Sequence, residues 1–270
     1  MTSPSPRIVF DPHTDQRHRR PVGSDSPRRA SARHDRMMTV DLTGVTTVLM
    51  AGTGSDDDYA YRAFAEPLHA VGAVVLTPAP DPHGLIDGYL AALTETAAAA
   101  GPIAVGGVSI GAAVAAHWAL AHPDSTVAVL AALPAWSGAP GDAVAALAAR
   151  ASAHQLRTEG LAPTITAMRA SSPAWLAEEL ARSWAGQWPG LPDAMEEAAG
   201  YVAPTVDELR TLTVPMGIAA AIDDPIHPGQ VGYEWAAAAP RAALQTVTLD
   251  EIGADPARLG AACLTALSGL

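Results

Sequence analysis

A single serine stands between two glycines at the point where an apolar run gives way to a helical pattern. In the stretch IAVGGVSIGAAVAAHWAL, Ser109 follows Gly107 by two positions and precedes Gly111 by two. Residues 102–109 have the pattern of a buried strand and residues 110–122 that of a helix, which predicts a sharp strand-to-helix turn at the serine. Such a turn exposes the hydroxyl beside the backbone amides of a helix N-terminus. The position suits a nucleophile, and a nucleophilic serine needs a base to take its proton.

The elements that must position this serine alternate along the chain from residue 45. Short apolar runs separated by helical patterns are typical of a parallel sheet with helices on both faces. The predicted strands are 45–50, 73–78, 102–109, 126–134, 214–223 and 242–250. The predicted helices are 57–72, 84–101, 110–122, 228–239 and 255–269. The sequence therefore predicts an α/β fold with a doubly wound, mostly parallel sheet.

The alternation stops in the middle of the chain. Residues 137–212 contain several helical patterns and no strong strand, so we interpret them as a helical lid inserted into one α/β domain that spans 37–270. Three tryptophans of this segment are spaced by nine and four positions: Trp175, Trp184 and Trp188. This spacing is close to one helical face, so they either line an acyl pocket or form the core of the lid itself.

The motif GVSIG around Ser109, in its strand–turn–helix context, resembles the nucleophile elbow of the α/β-hydrolase family. The resemblance extends from about residue 44 to 270 and implies that Ser109 is the nucleophile. The stretch VLMAGTGSDDD resembles the first strand-to-helix loop of the family. By that resemblance, the amides of Thr53 and Ile110 would form the oxyanion hole.

Two further stretches carry the resemblance and also depart from it. AAIDDPIHP resembles the loop of the catalytic acid, which points to Asp224 first and Asp223 second. LDEIGADPARL resembles the loop after the last strand, where the family places Gly-His, but Ala254 stands at that position. Ala51 likewise replaces the histidine of the oxyanion loop, which matters less because backbone amides supply that contact.

The missing histidine makes the base the main question. Of the nine histidines, three lie in the 1–36 tail, and three others are excluded because their places on the predicted helices put them far from Ser109: His69, His117 and His122. Three remain, and we favour His227 because it belongs to the loop that carries Asp224. His83, which follows the second predicted strand, and His154, in the predicted lid, are the alternatives.

These residues predict a serine hydrolase that acts on a small ester or thioester. Ser109 would attack the carbonyl and form an acyl-enzyme, while Asp224 orients a base, His227. The alternative, favoured by Ala254, is a catalytically inactive hydrolase-like protein that binds a small apolar ligand or a protein partner. The identity of the substrate and the oligomeric state are not predicted.

Composition excludes several other chemistries. The chain has no lysine, which rules out Schiff-base catalysis, pyridoxal phosphate attachment and a P-loop. Its single cysteine, Cys263, allows no disulfide within the chain and no multi-cysteine zinc site, and is expected to be buried. The acidic run SDDDY at 55–59 is expected to cap the following helix. No metal and no cofactor are expected.

Charge and hydropathy bear on partners and location. The net charge of −12 argues against nucleic acid, which is bound by basic surfaces. No apolar run reaches the roughly 18 residues that suggest a membrane span, so no membrane partner is expected. Residues 1–36 hold eight Arg and four Asp. They are predicted to be a disordered tail rather than a secretory signal, and the expected location is cytoplasmic.

Overall fold

The computed structural model describes residues 40–270. The predicted disordered tail, 1–36, lies outside the described residues. Within them, no helix is both long enough and apolar enough to cross a bilayer.

Six strands form one parallel sheet in the described part of the chain. They are β1 (Thr46–Met50), β2 (Val74–Leu76), β3 (Ile103–Val108), β4 (Thr126–Ala132), β5 (Met216–Ala221) and β6 (Ala242–Val247). Their order across the sheet is β2-β1-β3-β4-β5-β6, and each neighbouring pair is parallel. The predicted fold class is confirmed. Because β2 lies on one side of β1 and β3 on the other, the strand order has a topological switch point between β1 and β3. In open α/β sheets, ligands bind outside the carboxyl ends of the strands at such a point.

Helices cover both faces of the sheet and also fill the long connection between β4 and β5. They are α1 (Asp57–Ala70), α2 (Leu85–Ala100), α3 (Ile110–Ala121), a short 3₁₀ helix (Pro123–Ser125), α4 (Val144–Glu159), α5 (Leu161–Ser171), α6 (Ala174–Gln187), α7 (Leu191–Gly200), α8 (Val206–Leu209), α9 (Gly229–Ala238), α10 (Leu249–Ala254) and α11 (Arg258–Ser268).

The strands are buried on both sides, because two apolar layers sandwich the sheet. Val48 and Met50 of β1 pack with α2, α3 and α9, whereas Leu49 packs with α1 and α11. This alternation follows from the two-residue period of a strand. Cys263 of α11 is fully buried in the second layer, and burial raises the pKa of its thiol to about 12.

The segment 137–212, which we call the helical insertion, is fastened to the sheet domain by side chains. The carboxylate of Glu197 in α7 accepts the amides of Leu85 (2.8 Å) and Ile86 (3.1 Å) at the start of α2. The preceding residue, Gly84, has no side chain to cap that helix, so the insertion supplies the cap. The interpretation of this segment as a lid remains a prediction.

One element differs from the sequence prediction. We expected a loop after the last strand, but α10 (Leu249–Ala254) begins immediately after β6. Thr248 and Glu251 form a capping box at its N-terminus, each side chain bonding the backbone amide of the other. This reciprocal pairing stabilises a short helix where the resemblance to the hydrolase family predicted a loop.

Candidate active site

The turn at Ser109 is shaped by steric exclusion. A Cβ added at Gly107 or at Gly111 would overlap the carbonyl oxygen of Met50 at the end of β1. Only glycine allows β3 and α3 to approach β1 this closely. The two glycines that flank the serine are therefore required by the neighbouring strand.

Ser109 itself adopts a strained backbone conformation. Its φ is 55° and its ψ is −112°, values that a residue with a side chain seldom adopts and that often mark functional sites. Its amide donates to the carbonyl of Ala132 in β4 at 2.9 Å, which fixes the turn to the sheet. Because that amide is already used, the next one along the chain, from Ile110, is the candidate oxyanion donor on this side.

The hydroxyl is less open than the sequence suggested. We expected an exposed serine at the sheet edge, but Ser109 is only 6% exposed. It lines a narrow space with Ile110, Ala113, Ala135 and Trp136. The expectation of exposure is wrong, and the residues beside the serine include Ala135 and Trp136, which follow β4.

Asp224 organises the loop after β5 through its two carboxylate oxygens. Oδ1 accepts the amides of Ile226 (2.7 Å) and His227 (3.2 Å), while Oδ2 lies 2.8 Å from Nδ1 of the His227 ring. An aspartate that binds amides two and three positions ahead closes a compact turn. The same carboxylate therefore folds the loop and orients the imidazole.

The other ring nitrogen of His227 reaches the serine. Nε2 lies 3.0 Å from the Ser109 oxygen, within hydrogen-bond distance. An ionised carboxylate only accepts hydrogen bonds, so Nδ1 carries the proton and Nε2 is left to accept the hydroxyl proton of Ser109. Serine, imidazole and carboxylate form a continuous chain of hydrogen bonds.

The environment favours the ionised form of Asp224. Burial alone raises the pKa of this carboxyl, whose side chain is 7% exposed. The hydrogen bond and charge of His227, together with the amides of Ile226 and His227, outweigh burial and hold its pKa below the usual range. A carboxylate that stays charged stabilises an imidazolium beside it.

The loop after β1 also lies against Ser109. A Cβ at Gly52 would be 3.6 Å from the Cβ of Ser109, and the amide of Thr53 belongs to the next peptide group. The loop is held from both ends, since the Tyr89 hydroxyl donates to the carbonyl of Ala51 at 3.2 Å and Gln187 Nε2 donates to that of Ser55 at 2.8 Å. Sequence reasoning missed Gln187, whose position in α6 gave no signal.

The remaining candidates for base and acid are exposed or bond to other groups. His83 and His154 are exposed, and the ring that bonds Ser109 is that of His227. Asp223 accepts the amide of Leu249 at 2.9 Å, at the start of α10. Ala254 lies exposed at the end of that helix.

The predicted substrate-binding tryptophans have separate surroundings. Trp184 is 4% exposed and packs inside the insertion with Met195. Trp175 packs against Gly253, where a Cβ would overlap its ring, and Trp188 is 38% exposed. Neither of the two cavities described here includes them.

Trp136 lines both cavities and was not among the predicted residues. It separates the narrow space at Ser109 from an open groove of about 550 Å³. Its ring is held in place because Nε1 donates to the carbonyl of Tyr201 at 3.2 Å. The rule that sites form beyond the carboxyl ends of the strands would have found it, since it follows β4.

The acidic run SDDDY serves helix α1. Asp56 caps the helix, accepting the amide of Tyr59 at 3.0 Å, as predicted. Oxygens of Asp56, Asp58 and Glu179 lie within 4.8 Å of one another, but Arg62 and Arg182 pair with these carboxylates. Arginine thus supplies the positive charge that a cation would otherwise bring.

Similar proteins are found by comparing structures and not by comparing sequences. No protein-family profile matches the sequence, and no curated protein matches it. A Mycobacterium tuberculosis protein, Rv0554, superposes with a TM-score of 0.62 at 19% identity, covering 84% of this chain and 91% of that chain. MenH from S. aureus gives 0.61 at 18% identity, covering 76% and 85%.

A third similar structure is a thermophilic esterase from Thermogutta terrifontis. It matches with a TM-score of 0.56 at 20% identity, covering 77% of this chain and 81% of the esterase. Identities this low establish shared architecture rather than shared activity. Together with the parallel sheet and the strand–turn–helix at Ser109, these matches show that the chain has the α/β-hydrolase fold.

Proposed function

We propose that this protein is a serine hydrolase that cleaves small esters or thioesters through an acyl-enzyme on Ser109. The observation that carries the proposal is the hydrogen-bonded chain from Ser109 through His227 to Asp224, with contacts of 3.0 and 2.8 Å. A serine hydroxyl is a weak nucleophile, and an adjacent oriented base activates it. The sequence put that base in doubt, and the position of His227 supports its assignment.

In the first half of the reaction, Ser109 Oγ attacks the carbonyl carbon of the substrate. Its proton passes to His227 Nε2, and Asp224 stabilises the imidazolium that forms. The carbonyl oxygen becomes an oxyanion, which the amides of Ile110 and Thr53 are proposed to hold. When the tetrahedral intermediate collapses, His227 returns the proton to the departing alcohol or thiol, and the acyl group stays on Ser109.

In the second half, water replaces the alcohol. His227 takes a proton from water as the water oxygen attacks the acyl carbon, and a second tetrahedral intermediate forms. Collapse releases the carboxylic acid and restores the serine hydroxyl, with the proton returned by the imidazolium. No redox step is required, because every bond made or broken involves proton or acyl transfer.

The similar structures support this class of reaction. One is described as an esterase and another as an enol-lactonase from Burkholderia xenovorans, at 19% identity and a TM-score of 0.59. Both descriptions name hydrolysis of an ester bond in those proteins. The hydrogen-bonded chain of Ser109, His227 and Asp224 in this protein is compatible with that chemistry.

The proposal is tested by labelling with a fluorophosphonate, which reacts with activated serines. Intact mass spectrometry should show one adduct on the wild-type protein, and peptide mapping should locate it at Ser109. The Ser109→Ala variant should not be labelled, whereas Ser268→Ala, which changes an exposed serine near the end of α11, should be labelled normally. A wild-type protein that takes up no label, or takes it up elsewhere, would favour the inactive, ligand-binding alternative.

A further inference from the structure

The open groove beside Trp136 is built from three separate parts of the chain. It is lined by residues 135–140 and 142–144 after β4, by Thr205 and Val206 at the start of α8, and by Pro228, Val231 and Glu234. Its volume of about 550 Å³ lies within the usual range for small-molecule sites. The groove also shares Ala135 and Trp136 with the narrow space at Ser109. These two shared residues place the groove next to the space at Ser109, with Trp136 between them.

The groove lies on the side of the base. Pro228, which follows His227 directly, is one of its walls, and α9 continues that wall. The loop 51–55, which also lies against Ser109, contributes no residue to the described lining of the groove. In acyl transfer the imidazolium must reach the leaving-group oxygen in order to protonate it. The part of the substrate next to His227 is consequently the alcohol rather than the acyl group.

The charge of the groove restricts which alcohols it accepts. Most of the lining is apolar, and the two ionisable side chains among the described lining residues are both acidic, Asp142 and Glu234. Both are exposed. Glu234 accepts a hydrogen bond from Ser137 at 2.6 Å, and Ser137 in turn accepts one from Trp235 at 3.1 Å, so this carboxylate is fixed in position. No basic side chain within the described lining offsets the two acids.

We propose that this groove binds the alcohol portion of the ester. It selects alcohols with an apolar body and a neutral or positively charged end group over those that end in a carboxylate. The inference rests on the proposed serine-hydrolase function and adds the substrate class. Trp136 forms the partition between the alcohol site and the nucleophile. An anionic alcohol would be repelled by Asp142 and Glu234, whereas a quaternary ammonium group would be attracted to them.

The test compares three butyrate esters whose alcohols have similar size and end in a trimethylammonium, a tert-butyl or a carboxylate group. Values of kcat/KM at low ionic strength, divided by the rates of alkaline hydrolysis, should fall in that order. The carboxylate ester should be about tenfold worse than the neutral one. A second series places the same three charges on the acyl group of an ethyl ester, and there the preference should be much weaker.

The carboxylates are tested by neutralising both of them. In the double variant Asp142→Asn/Glu234→Gln, the ratio of kcat/KM between cationic and anionic alcohols should shrink by about tenfold. The matched control is Asp124→Asn/Glu66→Gln, which changes net charge equally at exposed positions outside the groove and should leave the ratio unchanged.

The outcomes separate the two proposals. Hydrolysis and labelling at Ser109 without any dependence on alcohol charge would overturn the groove assignment alone. A preference that survives in the double variant, or that follows the acyl charge instead, would also overturn it. Absence of both hydrolysis and fluorophosphonate labelling would overturn the serine-hydrolase function and the groove assignment with it.

Discussion

Ser109 and His227 meet across the candidate site, but two different kinds of interaction hold them in place. The serine turn is fixed by close packing, because Gly107 and Gly111 leave no room for a side chain beside the Met50 carbonyl. The acid loop is fixed by polar contacts, since one carboxylate of Asp224 accepts two amides and a ring nitrogen. Changes in the first region should therefore cost stability, and changes in the second should mainly cost activity.

The acid loop also shows how a site can accommodate the loss of an expected residue. The position after β6 belongs to α10 and ends in Ala254. The histidine that contacts Ser109 comes instead from three positions after Asp224. Acid and base then share one turn, so their relative geometry depends on local hydrogen bonds rather than on how two separate loops meet.

The largest expected effect is that of Asp224→Asn on activity. Asparagine offers one acceptor oxygen for the three N–H groups that the carboxylate accepts, and it cannot stabilise an imidazolium by charge. We expect kcat/KM for a reactive ester to fall by about 10³ to 10⁴, with the fold retained. The neighbouring variant, Asp223→Asn, should change it by no more than a few-fold. Equal losses in both variants would contradict the assignment of Asp224.

The packing of the serine turn is broken by Gly111→Ala. The new Cβ must displace the backbone carbonyl of Met50, so we expect a loss of about 2 to 3 kcal/mol in the free energy of unfolding. Gly186→Ala is the matched control, because Gly186 is also helical and has nothing within 4 Å of an added Cβ. That variant should gain about 0.5 to 1 kcal/mol from helix propensity. Denaturant unfolding of both variants measures the contrast.

The attachment of the helical insertion is tested by Glu197→Ala. This variant removes the carboxylate that caps α2, and we expect a loss of about 1 kcal/mol, similar to that of other helix caps. Glu196→Ala changes the adjacent glutamate, which pairs with Arg157 on the surface. Surface ion pairs contribute about 0 to 1 kcal/mol. If Glu196→Ala lost more free energy of unfolding than Glu197→Ala, the cap would not be what fastens the insertion.

The smallest expected effect is a pH dependence of stability. Burial raises the pKa of Asp224, but its hydrogen bonds and the charge of His227 outweigh burial, so its pKa in the folded protein lies below the ordinary value of 3.8. Such a group stabilises the fold above the unfolded pKa and loses that contribution as pH falls through the folded pKa. The stability advantage of the wild type over Asp224→Asn should therefore shrink below about pH 4. An advantage that grows on acidification would contradict the direction of the shift.

Much of the fold could be read from the sequence because its signals are local. The strand at 103–108 and the helix after it follow from apolar runs and from the glycines beside Ser109. Helix α10 was missed, although Thr248 and Glu251 have the spacing of a capping box. That spacing was the available signal, but the segment was interpreted as a loop because it resembles the family's loop after the last strand.

The candidate site was only partly readable, since it depends on contacts between distant segments. Asp224 and His227 were selected because they share a loop, and their spacing suits an aspartate turn. The choice of Trp175, Trp184 and Trp188 rested on helical spacing, which cannot tell whether a face points to a pocket or to another helix. Packing of Trp184 against Met195 and of Trp175 against Gly253 is a tertiary outcome without a local signature.

The most direct test of the central claim measures how fast a fluorophosphonate labels Ser109 when individual histidines are removed. We predict that His227→Ala lowers the second-order rate constant by about 10³-fold or more, while His83→Ala and His154→Ala leave it unchanged. A normal rate in His227→Ala, or a comparable loss in either of the other two variants, would contradict the account.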